Sequence, residues 1–144
     1  MRIIKKQVNK PYEIIEFEGK YVCEAKKAAS DDIEYIERVL LNNNIMMIVD
    51  EDGHRKALPH NFYLSLPHHI NFPIHDIIGT AIFAKVKPLP FMEEVYDYEV
   101  DDLSDDDIEL IANILSEDNQ KVLSDKFKET YKDRDYWSPI ITTW

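Results

Sequence analysis

The stretch Ile45-Met-Met-Ile-Val-Asp-Glu-Asp-Gly-His-Arg-Lys-Ala-Leu-Pro-His-Asn61, followed at 77–86 by Ile-Ile-Gly-Thr-Ala-Ile-Phe-Ala-Lys-Val, decides the fold. Ile45 to Val49 is an unbroken apolar run bounded by turn residues, the pattern of a buried strand. Asp50-Glu51-Asp52-Gly53 reads as a hairpin turn in which Gly53 supplies positive φ. Arg55 to Leu58 reads as the returning strand, stopped by Pro59, which has no N–H to give to a ladder. Leu58-Pro59-His60-Asn61 reads as a structural corner, with Pro59, His60 and Asn61 at its bend and the Asn61 side chain able to bond nearby backbone. Ile77 to Val86 is a third strand, and Gly79 within it marks a bulge or a close backbone approach.

Outward from this stretch, Arg2 to Val8 and Tyr12 to Phe17 are β-type runs separated by the turn residues Asn9-Lys10-Pro11. Tyr21 to Ala25 fits a short strand or the start of a helix, and periodicity does not choose between them. Asp31 to Leu41 is a predicted helix. Asp31 and Glu34 have capping-box spacing, Ile33, Ile36, Val39 and Leu40 form a stripe, and Asn42-Asn43-Asn44 tolerates the left-handed C-cap. A Pro- and His-rich loop spans Leu64 to Ile74, and Lys87-Pro-Leu-Pro90 is a boundary. Ser104 with Asp107 caps a helix carrying Ile108, Ile111, Ala112 and Leu115. A second helix starts at Ser116 and carries Val122, Leu123, Phe127 and Tyr131. The apolar tail Tyr136 to Trp144 is expected to pack on the domain or on a partner.

These elements predict an α+β fold: a small, mostly antiparallel sheet with one packed helix and a C-terminal helical extension. Residues 1–90 form the core domain, and residues 91–144 an acidic segment and helical extension packed on it. Ile36, Leu40, Ile45, Ile48, Leu58, Ile78 and Ile82 are the expected core. A length of 144 residues fits one domain. The single cysteine, Cys23, excludes an internal disulfide framework and fits a reducing compartment. No apolar run approaches the roughly 20 residues that span a bilayer. The opening Met-Arg-Ile-Ile-Lys-Lys-Gln lacks the apolar region of a signal peptide. A cytoplasmic protein without membrane contact is expected.

The formal net charge is −11. Residues 1–90 carry 12 Lys/Arg and 12 Asp/Glu, so the whole imbalance lies in residues 91–144, with 5 and 16. Nine carboxylates fall between residues 93 and 107, with no basic residue among them: Glu93, Glu94, Asp97, Glu99, Asp101, Asp102, Asp105, Asp106 and Asp107. Such a run disfavours direct nucleic-acid binding, which rests on Lys and Arg. It is expected to be a solvated face and the candidate contact surface for a basic protein partner. An alternative is imitation of DNA phosphates, as an antirestriction protein does.

Catalytic chemistry finds little support. All five histidines (His54, His60, His68, His69 and His75) fall within 22 residues, near Asp50, Glu51, Asp52 and Asp76. Imidazole and carboxylate are ligands for zinc or iron, so a metal-dependent enzyme is a further alternative. Yet there is no His-Glu-x-x-His, and adjacent residues such as His68 and His69 are expected to point in different directions in most backbones. A polar loop is the simpler reading, and no metal or cofactor is expected. Asp50 to Gly53 imitates only the start of a calcium loop, since Asn61 stands where a Glu is needed. Ser30 and Ser65 lack a nucleophile elbow, Cys23 has no Cys-His motif nearby, and three glycines cannot build a phosphate loop. No catalytic residue is assigned.

The Val-Asp-Glu-Asp-Gly turn, the Ala-Leu-Pro-His-Asn corner, Asp-Ile-Ile-Gly-Thr-Ala-Ile-Phe and the Leu103-Ser-Asp-Asp-Asp-Ile108 helix start together resemble a domain family. That family occurs in small proteins of gut bacteria, their phages and plasmids. The resemblance covers roughly residues 1–115. It implies an accessory protein of a mobile element, sometimes encoded near antirestriction genes. It brings no assigned activity and therefore no catalytic residue. The long loop from Leu64 to Ile74 and the C-terminal extension depart from the family pattern.

Overall fold

The computed structural model of the chain describes residues 1–42, 44–66, 73–88 and 97–132. Along these residues run β1 (Arg2–Lys6), β2 (Glu13–Glu16), α1 (Val22–Ala29), β3 (Ile36–Leu40), β4 (Ile45–Asp50) and β5 (His60–Ser65). They are followed by β6 (Ile74–Ile78), β7 (Ala81–Val86), β8 (Val100–Asp101), α2 (Asp105–Leu115) and α3 (Glu117–Thr130). The main sheet is antiparallel, in the order β2-β1-β7-β4-β3. β8 continues the line of β1 along β7, pairing Lys85 with Asp101 and Val86 with Val100. β5 and β6 form a separate antiparallel hairpin. The fold is the expected α+β class, with a mostly antiparallel sheet.

The central strand β4 is buried at every residue. Ile45, Met47 and Val49 join one core with Ile4, Val39, Ala81 and Phe83. That core is covered by Phe62, Leu64, Leu66 and Ile77 of the hairpin region and by Leu103 and Ile111. Met46 and Ile48 join a second core with Ile3, Ile82 and Ala84, covered by Val22, Ala25 and Ala29 of α1. A sheet covered on both faces turns a continuous apolar run into a strand, because alternate side chains meet different layers. α3 lies over the hairpin, where Phe127 and Tyr131 pack with Ile74 and Tyr63.

Several expectations need correction. Residues 31–41 are not a helix: Ile36 to Leu40 pair with Asp50 to Met46 as an edge strand. Asn42 turns a hairpin instead of capping a helix, its Oδ1 accepting from the N–H groups of Asn44 and Ile45 at 2.8 Å each. The β-branched Ile36 and Val39 fit the pleat as well as a helix stripe, and pairing with β4 settles the choice. Tyr21 to Ala25 opens α1, with Glu24 Oε1 accepting from the Tyr21 N–H at 3.0 Å. Residues 55–58 form no returning strand; residues 51–57 are a run of turns, and the left-handed residue there is Ala57 (φ 54), not Gly53.

Residues 77–86 are two strands in two sheets. Gly79, at φ 72, is where the chain leaves one for the other, and a Cβ there would lie 2.7 Å from Leu58 Cδ1. The close approach expected at this glycine is therefore real, and the continuous strand is not. Ile45, Ile48 and Ile82 are buried as expected, but on opposite faces of the sheet. Leu40 is exposed, and Ile36, Leu58 and Ile78 are half-buried. Ser104 and Ser116 cap α2 and α3 as predicted, accepting from Asp107 N and Asn119 N. Val122 is exposed, whereas Leu123, Phe127 and Tyr131 are buried. The tail Tyr136 to Trp144 lies outside the described residues.

Candidate functional site

The acidic run is not one solvated face. Glu93 and Glu94 lie outside the described residues, and most of the other seven carboxylates are used within the chain. Asp97 is buried, and both its oxygens receive the Arg38 guanidinium, at 2.9 and 3.0 Å, alongside the N–H groups of Cys23 and Tyr98. Burial alone would raise its carboxyl, but Arg38 and those N–H donors outweigh it and hold the group below its ordinary value. Glu99 sits between Lys20 and Lys87, at 3.4 and 3.5 Å. Asp102 accepts the Arg2 N–H at 2.6 Å, and the Arg2 guanidinium reaches both Asp102 and Asp105.

Asp107 closes the α2 cap on the Ser104 N–H and meets Lys85 at 3.1 Å. Burial pushes its carboxyl up, and the Ser104 and Lys85 donors pull it below the ordinary value. Asp101 lies half-buried in β8 and accepts from the Asp102 N–H. Every cation in these pairs comes from residues 2–87. The charge imbalance between the two halves of the chain thus attaches the C-terminal segment to the sheet.

What remains open to a partner lies further along. Asp106 and Glu109 on α2 are exposed and flank Leu110, itself 44 % exposed. Neither carboxylate has a cation within 4.0 Å among the described residues, and α2 contains no Lys or Arg. Glu117 and Asp118, exposed in the first turn of α3, extend the same charge. Glu109, Leu110 and Asp118 were not singled out from the sequence. Their signal, an acidic helix with one apolar residue on its polar side, is legible only once the buried stripe is known.

At the corner the Asn61 side chain bonds nearby backbone. Asn61 Nδ2 donates to the carbonyls of Lys6 (2.8 Å) and Gly79 (2.7 Å), and its Oδ1 accepts from Lys6 Nζ at 2.9 Å. The Pro59 carbonyl accepts from the Gly79 N–H at 2.8 Å. His60 Nδ1 meets the Asp76 carboxylate, and its ring lies 4.5 Å from that of Tyr63. Pro59 precedes β5 instead of ending a strand.

The described histidines form no cluster of metal ligands. His54 is exposed in the turn after β4, His75 is buried in β6, and His68 and His69 lie outside the described residues. Among the described residues no three His, Cys, Asp or Glu side chains stand together as a metal site. Asp50 serves the fold: it receives Lys56 Nζ at 2.8 Å and the N–H groups of Glu34 and Asp52. Burial raises its carboxyl, and these donors bring it below the ordinary value.

The described surface carries cavities at two places near the corner. One, of about 260 Å³, lies at the sheet end between Asp32, Asp50, Pro59 and Thr80. The other, of about 570 Å³, lies between the β1–β2 turn and the α2–α3 junction. Comparison with protein-family models, curated proteins and solved structures finds no match.

Proposed function

We propose that the protein is a non-catalytic accessory protein of a phage or other mobile element, and that it docks a basic surface of a partner protein through its acidic C-terminal region. The observation that supports this is the outer side of α2, without a cation partner among the described residues, where Asp106 and Glu109 flank an exposed leucine, Leu110. Exposed carboxylates around an apolar contact suit a partner whose Lys or Arg residues steer the encounter while a pocket receives the leucine. The family resemblance of residues 1–115 supports the accessory role. Imitation of a phosphate ladder has less support, since Asp97, Glu99, Asp102, Asp105 and Asp107 already serve cations of this chain.

Affinity capture from the native host tests the reading. Wild-type protein should retain a partner at low salt and lose it at high salt. The variant Asp106→Asn, Glu109→Gln, Leu110→Ser should lose it at both while melting like the wild type. Equal retention by the folded variant would sink the proposal.

A further inference from the structure

In a chain with an excess of carboxylates, two lysines line one cavity without a carboxylate partner among the described residues. The cavity of about 570 Å³ is within the range of small-molecule sites. Its walls include Tyr12, Phe62, Ala112 and Leu115, which are apolar or aromatic, with Lys6 and Lys10 at one side. Lys6 is half-buried; its ammonium donates to the Gln7 carbonyl at 2.7 Å and to Asn61 Oδ1 at 2.9 Å. An ammonium has three donors, and two of them are used by these acceptors among the described residues. Neither Lys6 nor Lys10 has a carboxylate within 4.0 Å among the described residues, unlike Arg2 on the same strand as Lys6; what sets this pair apart from other unpaired lysines is the cavity that both line. Among the described residues the acid on the cavity wall is Glu117, which is exposed. Burial also holds the Lys6 ammonium below its ordinary value, a cost that a bound anion would offset.

We infer that this cavity is a binding site for a small organic anion, an aryl phosphate or aromatic carboxylate, whose charged group meets Lys6 and Lys10 while its ring lies against Tyr12 and Leu115. The site is separate from the outer side of α2 and does not depend on the partner-docking reading. The charged group supplies a counter-charge to Lys6 beside its two neutral acceptors, and the ring removes apolar wall from water. A neutral ligand leaves the lysines unanswered, and a bare inorganic anion leaves the walls wet.

Amide NMR shifts of the ¹⁵N-labelled protein, titrated separately with phenyl phosphate, inorganic phosphate and benzyl alcohol, test the inference. Phenyl phosphate should give saturable shifts at residues 6–12 and 112–120, and bind about tenfold or more tighter than either of the others. Lys10→Gln, at an exposed position, should weaken phenyl phosphate several-fold without changing the melting temperature. Ala112→Leu, which narrows the cavity and keeps both lysines, should also weaken it. Lys6→Gln should have the largest effect, and the other two variants keep the test decisive if it unfolds. Absence of saturable shifts, shifts centred elsewhere, equal affinity for benzyl alcohol, or unchanged affinity in both Lys10→Gln and Ala112→Leu would each overturn it.

Discussion

Arg38 and Asp97 show how a single residue here acts through what it leaves behind. The Asp97 side chain is 3 % exposed, whereas Arg38 is about one-third exposed. Removing the cation strands a buried carboxylate, and that residual charge sets the cost more than the lost attraction does. Arg38→Met should therefore destabilise by about 1.5–3 kcal/mol in urea titration, the range for hydrogen bonds to charged groups. Arg38→Met combined with Asp97→Asn should recover part of that loss. Asn61 is a second such residue, since its amide joins β1, the start of β5 and the Gly79 corner. Asn61→Ala should cost about 1–3 kcal/mol, because two carbonyls lose their donor. Gly79 is constrained twice, by positive φ and by Leu58. Gly79→Ala should lower stability by about 1–3 kcal/mol in the same assay, even though the neighbour is a side chain that can shift.

At the scale of elements, the segment from Asp97 to Asp107 behaves as a strap. It contributes Val100 and Leu103 to opposite cores, adds β8 to the sheet, and pairs its carboxylates with cations on β1, β3 and β7. Replacing Asp101, Asp102, Asp105 and Asp106 with Asn would therefore disturb the fold as well as any contact, because Asp102 and Asp105 hold Arg2. Asp106→Asn with Glu109→Gln is the cleaner probe. Those two changes should leave the unfolding free energy from urea titration within about 0.5 kcal/mol of wild type, as expected of exposed side chains without a cation partner among the described residues. The α2 cap is different in kind. Ser104→Ala should cost about 1 kcal/mol, read by thermal melting, since its hydroxyl satisfies the Asp107 N–H in the first turn.

For the whole molecule, acid is the most informative perturbation. Asp50, Asp97 and Asp107 all hold their protons more weakly than the ordinary 3.8, so the unfolded chain binds more protons in acid. The stability they contribute is fully present above that value, and is lost as pH falls through it and through the lower folded values. Urea midpoints should thus be flat near neutrality and drop below about pH 5. Asp97→Asn should make that drop shallower, and an unchanged slope would show that this pair does not couple folding to protons. Truncation in the sheet tests the two-sided core. Ile48 and Ile82 face each other across β4 and β7 beneath α1, and either changed to Ala should cost about 2–5 kcal/mol.

Local chemistry made part of this protein legible. The buried strand at 45–50 followed from an apolar run that admits no wet face. The starts of α2 and α3 followed from serines whose caps bind within three residues. The corner at Asn61 was readable because Asn side chains bond backbone wherever a strand turns. What tertiary structure decided is what depends on distant partners. Residues 36–40 carry a stripe that suits a helix, and become a strand because β4 offers an edge. Residues 77–86 look like one strand, and divide at Gly79 because two layers compete for their faces. The acidic run reads as a solvated patch, yet Asp102 finds Arg2 across 100 residues of chain and Asp97 finds Arg38 across 59. Spacing along the chain carries the short-range bonds of caps and turns. It carries no record of ion pairs that form only after the sheet has brought the two halves together.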